Sequence, residues 1–310
     1  MSKKFICFLM SFSLLLTVGC ATQNQQEINK PIYYSFADDL GNKIDLSEKP
    51  EKVVSLLGSY SEMWLLAGGN LIATTEDAVS ERNLEFPNEV EIIGTVKDPN
   101  IELILSIKPD FVIMSTDVPS HVKLADTLKQ ANIPFGYFKE DSVSDYLRVL
   151  KIFTDITNRE DLYVQYGREV ENAINTVLSS IPENRENPKI LLIRSMSTKA
   201  KALKDDHMVG KMLLDLKTNN IATTHSSLLE DLSMETIIAE NPDFIFVVTM
   251  GNVDKAIQTL ENGIMSNPAW KNLDAVKNKH FYILPKDLFQ YKPNARYGES
   301  YEYLKKIIYE

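Results

Sequence analysis

Apolar residues along this chain gather in short runs that barely alternate with polar ones. They read "KVVSLLG" at 52–58, "FVIMST" at 111–116, "IPFGYF" at 133–138, "KILLIR" at 189–194, "FIFVVT" at 244–249 and "HFYILP" at 280–285. Unalternated runs rich in β-branched and aromatic residues predict strands covered on both faces, as in a parallel sheet. Helical spacing follows several of them, as in "SYSEMWLLAGG", closed by Gly68 and Gly69, and "MVGKMLLDL" at 208–216. Strands alternating with helices in both halves predict α/β units.

One unit is written twice. "IELILSIKPDFVIMST" at 101–116 returns as "METIIAENPDFIFVVT" at 234–249. Glu102, Ile104, Pro109, Asp110, Phe111 and Thr116 recur as Glu235, Ile237, Pro242, Asp243, Phe244 and Thr249, always 133 positions later. Each copy predicts a short helix, stopped because proline cannot continue the hydrogen-bond ladder, and then a buried strand. Two lobes of similar build, one copy in each, explain the repetition.

Between the copies, Ser142–Ile181 has helical spacing throughout. Asn158 is expected to cap the start of a helix reaching Ser180, ~35 Å long at the usual rise. "PENRENP" then ends it. A long helix flanked by two lobes predicts a connector rather than a core element. The expected division is a leader over 1–20, a polar tether over 21–30, a first lobe over 31–141, the connecting helical region over 142–182 and a second lobe over 183–310.

The leader rests on Lys3 and Lys4, an apolar stretch from Phe5 to Val18 and then Gly19-Cys20. That stretch is short for a membrane span and suits a secretory signal peptide. A small residue before Cys20 resembles the lipobox of bacterial lipoproteins, although Thr17 stands where that pattern has leucine. The resemblance implies lipidation at Cys20 and an extracytoplasmic protein anchored to the cell membrane. Of the two cysteines, Cys7 lies inside the leader, so the folded part is expected to carry neither a disulfide nor a thiolate metal site. A net charge of −10 argues against nucleic acid as a partner.

From Pro50 onward the chain resembles the substrate-binding proteins of ABC importers for iron complexes and vitamin B12. Four segments carry the likeness, in order: "PEKVVSLLGSYSEMWLLAGG", "IGTVKDPNIELILSIKPDFVI", "LSMETIIAENPDFIFV" and "NPAWKNLDAVKNKHFYILP". The resemblance implies two Rossmann-like α/β lobes with mostly parallel sheets joined by a long rigid helix, the class III periplasmic-binding-protein type. It implies a monomer that works with ABC permease subunits and, through them, a cytoplasmic ATPase. It also gives the repeated acids a role, Glu102 and Glu235 docking on the two permease subunits. No intrinsic cofactor, bound metal site or catalytic residue is expected, and the ligand class is a ferric siderophore, haem or a corrinoid.

Ligands of parallel α/β lobes bind beyond the carboxyl ends of the strands. Candidate contacts are therefore Tyr60, Lys97, Asp117, Arg194, Met250, Tyr291 and Arg296. Arg194, ending an apolar strand, needs a partner, which is either a ligand or a neighbouring acid. Tyr60 equally suits local packing at a helix start, and Tyr291 and Arg296 equally suit a solvated loop. Haem-binding members of the resembled family use a methionine and a histidine at places that here hold Lys97 and Met250, which weighs against haem. His207, in "KDDHMVG", suits either a place near the cleft or, more readily, the surface.

Two other classes compete. One is a membrane-tethered ligand sensor on the same fold. The other is an extracytoplasmic α/β enzyme, disfavoured because G-x-S-x-G, H-E-x-x-H and the glycine-rich phosphate loops are all absent from the sequence.

Overall fold

The computed structural model describes residues 31–183 and 186–310. The expected leader, Cys20 and the tether lie outside the described residues. A hairpin opens the described chain, with β1 (Tyr34–Ala37) antiparallel to β2 (Lys43–Leu46). The first lobe holds β3 (Val53–Ser55), β4 (Leu71–Thr74), β5 (Glu91–Ile92), β6 (Phe111–Ser115) and β7 (Phe135–Phe138). They form one parallel sheet in the order β5-β4-β3-β6-β7. The second lobe holds β8 (Lys189–Ser195), β9 (Ala200–Ala202), β10 (Asn219–Asn220), β11 (Phe244–Thr249) and β12 (Phe281–Ile283). Their order is β10-β8-β11-β12, parallel, with β9 antiparallel on β8.

The unalternated runs are explained by three apolar layers. Successive side chains of a strand point to opposite faces. Accordingly Phe111 and Ile113 enter one core while Val112 and Met114 enter another. Across the second sheet, Phe244, Phe246 and Val248 join the first of these cores, and Ile245 and Val247 join a third. The shared core continues from one lobe to the other through the helices between them. Relative motion of the lobes would disturb that layer, so small closure is the expected behaviour.

The repeated unit folds alike in both places. The helices Ile101–Ile107 and Met234–Glu240 are N-capped by Asn100 and Ser233. Each ends on a left-handed residue, Lys108 (φ 49°) or Asn241 (φ 43°), directly before proline. The repeated aspartates fasten the neighbouring strand. Asp110 accepts from the amides of Glu51 (2.8 Å) and Lys52 (2.9 Å), and Asp243 accepts from that of Lys189 (2.7 Å). Each also donates its own amide back, to the carbonyl of Lys52 or Lys189. Hydrogen bonds to a charged group contribute about 1.5–3 kcal/mol. Asp110→Ala is therefore expected to lower unfolding free energy by about 2 kcal/mol in urea titrations; a loss within error would show these bonds to be incidental.

The connector departs from expectation. Asn158 does not start a helix: at φ 58° it closes the helix Val143–Thr157. That earlier helix belongs to the core, with Tyr146, Val149, Leu150 and Phe153 fully buried and Phe153 edge-on to Trp64 (5.3 Å) and Phe138 (5.0 Å). The second run, Glu160 to Ser179, is helical but contains a π-type turn at Val164–Arg168. Such a turn leaves carbonyls without helical partners, and the Tyr146 hydroxyl donates to the backbone carbonyl of Tyr166 (2.6 Å). The helix Tyr297–Tyr309 lies against this run, where a Cβ on Gly298 would come 3.0 Å from Ala173.

Candidate ligand cleft

The carboxyl ends of the two sheets meet across one seam. Glu140 follows β7, and its carboxylate accepts from the Tyr297 hydroxyl (2.9 Å). Lys292, in the segment after β12, donates to the Glu140 carbonyl and lies 3.6 Å from Asp141. Arg82, beyond β4, pairs with Glu62 and donates to the Lys292 carbonyl (2.9 Å). Asn294 donates to the Ser59 carbonyl (3.0 Å), just beyond β3, and to Glu62 (2.6 Å). Glu140 and Asn294 are both 0% exposed. Lys292 and Asn294, between the expected contacts Tyr291 and Arg296, are thus committed to joining the lobes. Burial raises the Glu140 carboxyl, opposed by Lys292, the Tyr297 hydroxyl and Arg82.

Arg194 stands out against this paired background. It lies one residue before the end of β8, beside β11, in register with Val248. It is half-buried, and burial depresses its guanidinium. Among the described residues no carboxylate lies within ion-pair distance of it, and its buried Nε has no hydrogen-bond partner. Its Nη2 is 2.7 Å from Nε2 of His207. That histidine is half-buried rather than on the surface. Burial first, then Arg194 and Lys292, push it down to about 3, while Asp141 opposes them. Lys211 adds to the positive surroundings.

The other expected contacts are distributed differently. Lys97 and Asp117 are exposed on loops of the first lobe, and Met250, 39% exposed, follows β11 with its amide bonded to the Ser195 carbonyl. Tyr291 is half-buried under the Lys286 ammonium, 4.9 Å from its ring centre, and that ammonium also donates to Gly251. Tyr60 is a correction. It is 1% exposed and packs edge-on to Phe138 (6.1 Å), so its ring offers no face to a ligand. Arg296 is exposed, and its charge is already balanced by Asp287 (2.8 Å) and Glu299 (2.7 Å). Sequence reasoning favoured the surface for His207 over its alternative near the cleft and missed Glu140 altogether; "FKEDS" carries no sign of which lobe it will meet. Glu102 and Glu235 are exposed in the first turns of their helices.

His121 is a structural residue beside the Lys97 loop. Its Nδ1 accepts from the Ser115 amide (3.1 Å) and its Nε2–H donates to the Val96 carbonyl (2.9 Å), which requires a neutral ring. Burial pushes it down to about 4, against the Val96 bond. The unfolded chain takes up a proton near pH 6.5 that the native ring refuses. Stability from this group is therefore complete above pH 6.5 and falls by about 1.4 kcal/mol per pH unit between there and pH 4. Urea titrations at pH 7.5 and 5.0 are expected to show a smaller drop for His121→Gln than for the wild type. Equal drops would contradict the neutral-ring assignment.

Among the described residues, grooves open on the surface of the second lobe and along the seam. One, about 1050 Å³, lies in the second lobe between Ser197, Lys199, Asp231, Met234, Lys255 and Asn267. The other, about 460 Å³, follows the seam beside the connecting helices, between Ser142, Leu147, Ile174, Met208, Lys211 and Tyr301. The second adjoins the Arg194–His207 pair through Met208. Among the described residues no three His, Cys, Asp or Glu side chains are grouped to hold a metal ion, and no helix is long and apolar enough to cross a membrane.

Known proteins share this arrangement. The iron-uptake system-binding protein of Bacillus subtilis is 24% identical over 303 residues, covering 91% of each chain. The structure of the iron uptake ABC transporter substrate-binding protein PiuA from Streptococcus pneumoniae matches with a TM-score of 0.69 at 20% identity, over 90% of this chain and 98% of that one. That of Staphylococcus aureus SirA complexed with staphyloferrin B matches with a TM-score of 0.67 at 20% identity, over 89% and 97%. The family described as periplasmic binding protein matches residues 53–288. With two mostly parallel sheets turned to one seam and this match over most of its length, the chain belongs to the periplasmic binding protein family.

Proposed function

We propose that this chain is the extracytoplasmic substrate-binding lipoprotein of an ABC importer, capturing an anionic iron complex between its lobes. The observation that carries the ligand class is Arg194, a half-buried cation without an acidic partner among the described residues, with Lys211 and Lys292 near the same histidine. Burying an unpaired cation is costly, and an anionic oxygen from the ligand would offset that cost with charge-assisted hydrogen bonds. Lys97, Asp117 and Met250, on loops at the strand ends, are the proposed rim of the same site. The chain's work is binding and delivery, not turnover. Glu102 and Glu235 are the proposed docking acids for the permease, and a lipid on Cys20 the proposed anchor. The iron-uptake relative from Bacillus subtilis, the iron-uptake protein PiuA and the staphyloferrin B complex of SirA support this reading.

The test is calorimetric titration of the full chain in detergent with ferric citrate, ferric staphyloferrin B, haem, a corrinoid and the neutral trihydroxamate ferrichrome. An anionic chelate is expected to bind saturably, and Arg194→Met to weaken it about 30-fold, in line with a buried charge-assisted bond of roughly 2 kcal/mol. Preference for ferrichrome or the corrinoid, undiminished in Arg194→Met, would overturn the anionic assignment.

A further inference from the structure

His207 is asked for two hydrogen bonds that a neutral imidazole cannot make together. Its Nδ1 is placed to accept from the Val209 amide (3.2 Å), capping the helix Met208–Asp215. Its Nε2 is placed to accept from Arg194 Nη2 (2.7 Å). A neutral ring carries one lone pair and one N–H, so accepting at one nitrogen puts the proton on the other. Protonating both nitrogens would remove both acceptors, and the neighbouring Arg194, Lys292 and Lys211 oppose that charge, with Asp141 the nearby acid. Either the helix cap or the Arg194 bond is therefore unmade at any moment. Arg194 is short of acceptors besides, because its buried Nε has none. An anionic oxygen arriving beside the pair would resolve the conflict at both residues.

Building on the importer reading above, we propose that His207 is a ligand-binding residue that changes tautomer when the cleft fills. In the empty protein its Nε2 accepts from Arg194, the proton sits on Nδ1 and the Val209 amide is uncapped. When the chelate enters, Arg194 transfers its hydrogen bond to an anionic ligand oxygen. One proton moves from Nδ1 to Nε2 through solvent, with no net uptake. Nδ1 then caps the helix and Nε2–H becomes a second donor to the same oxygen. Recognition is thus selective for ligands that bring an acceptor. A neutral or cationic surface at this point would leave Arg194 on His207 and the helix uncapped.

The experiment is ¹⁵N NMR of the full chain in detergent, labelled at histidine. The four histidines of the sequence give four ring systems, whose nitrogen shifts distinguish the tautomers. In the free wild type His207 is expected as the Nδ1–H form, and in free Arg194→Met as the Nε2–H form. Saturation with the tightest-binding anionic chelate of the panel above is expected to convert the wild type to Nε2–H. His207→Leu should weaken that chelate about tenfold, and His207→Gln, whose amide can still donate, should recover most of the loss. An Nε2–H ring in the free wild type, an unchanged ring in Arg194→Met, or wild-type affinity in His207→Leu would each overturn the proposal. If no panel member binds the wild type, the importer reading and the ligand half of this proposal fail together; the free-protein spectra still decide whether Arg194 and His207 are paired as described.

Discussion

Glu102→Lys/Glu235→Lys is expected to abolish uptake of the chelate by cells while leaving the purified protein's affinity for it unchanged. Each glutamate is the second residue of its helix, two places after the caps Asn100 and Ser233. Each is exposed, and neither has an ion-pair partner among the described residues. An acid near a helix start also complements the helix dipole, which is worth about 0.3–1 kcal/mol. That alternative predicts a modest loss of stability from charge reversal and no loss of transport. Docking predicts the reverse weighting, because opposed like charges at an interface cost several kcal/mol and misorient the partners. Either single reversal should impair uptake less than the pair. Transport at wild-type rate by the folded double variant would refute the docking role.

Lys292→Met is expected to be the most damaging single change to stability, lowering unfolding free energy by about 3–5 kcal/mol, the usual cost of leaving a buried charge unpaired. Its ammonium bridges the Glu140 carbonyl and Asp141, and it is the largest influence opposing the burial of the Glu140 carboxylate. With Lys292 gone, that carboxylate, 0% exposed, keeps the Tyr297 hydroxyl at 2.9 Å while its other oxygen has no hydrogen-bond partner. Lys292→Met/Glu140→Gln should recover a large part of the loss, since the remaining group is then neutral. The pair spans the seam, so the single variant should also loosen the lobes, read as faster hydrogen exchange around Glu140 and Asn294. A loss below 1 kcal/mol with unchanged exchange would show that the seam holds without this pairing.

Much of the architecture was legible because burial on both faces of a strand leaves a plain trace. The runs ending at Thr116 and Thr249 announced parallel strands, and the repeated unit around Pro-Asp announced two lobes. The repeated aspartates were legible only as part of the turn after each helix; their bonds to Lys52 and Lys189, 58 and 54 residues away, were not. What failed to show was pairing over long sequence distances. Nothing in "FQYKPNAR" tells that Lys292 will meet Glu140, 152 residues away, or that Asn294 will reach Ser59, 235 residues away. Tyr60 sits where a strand meets a helix, a place shared by ligand contacts and core residues, and the surrounding Phe138 decided for the core. Asn158 suits either end of a helix, because asparagine both caps helix starts and tolerates the left-handed conformation. Here the Val143–Thr157 helix ended on it. Arg194 was legible as a charge in need of a partner; the histidine beside it lies 13 residues on, across a hairpin.

The most direct measurement is a crystal structure of the full chain with the tightest-binding anionic chelate. The chelate is expected in the seam between the carboxyl ends of β6, β8 and β11, with one of its oxygens on the Arg194 guanidinium and Glu140, Lys292 and Asn294 paired as described above. A chelate seated in the outer groove between Ser197 and Asn267, with Arg194 still resting on His207, would contradict the cleft, the anion and the role assigned to each residue there.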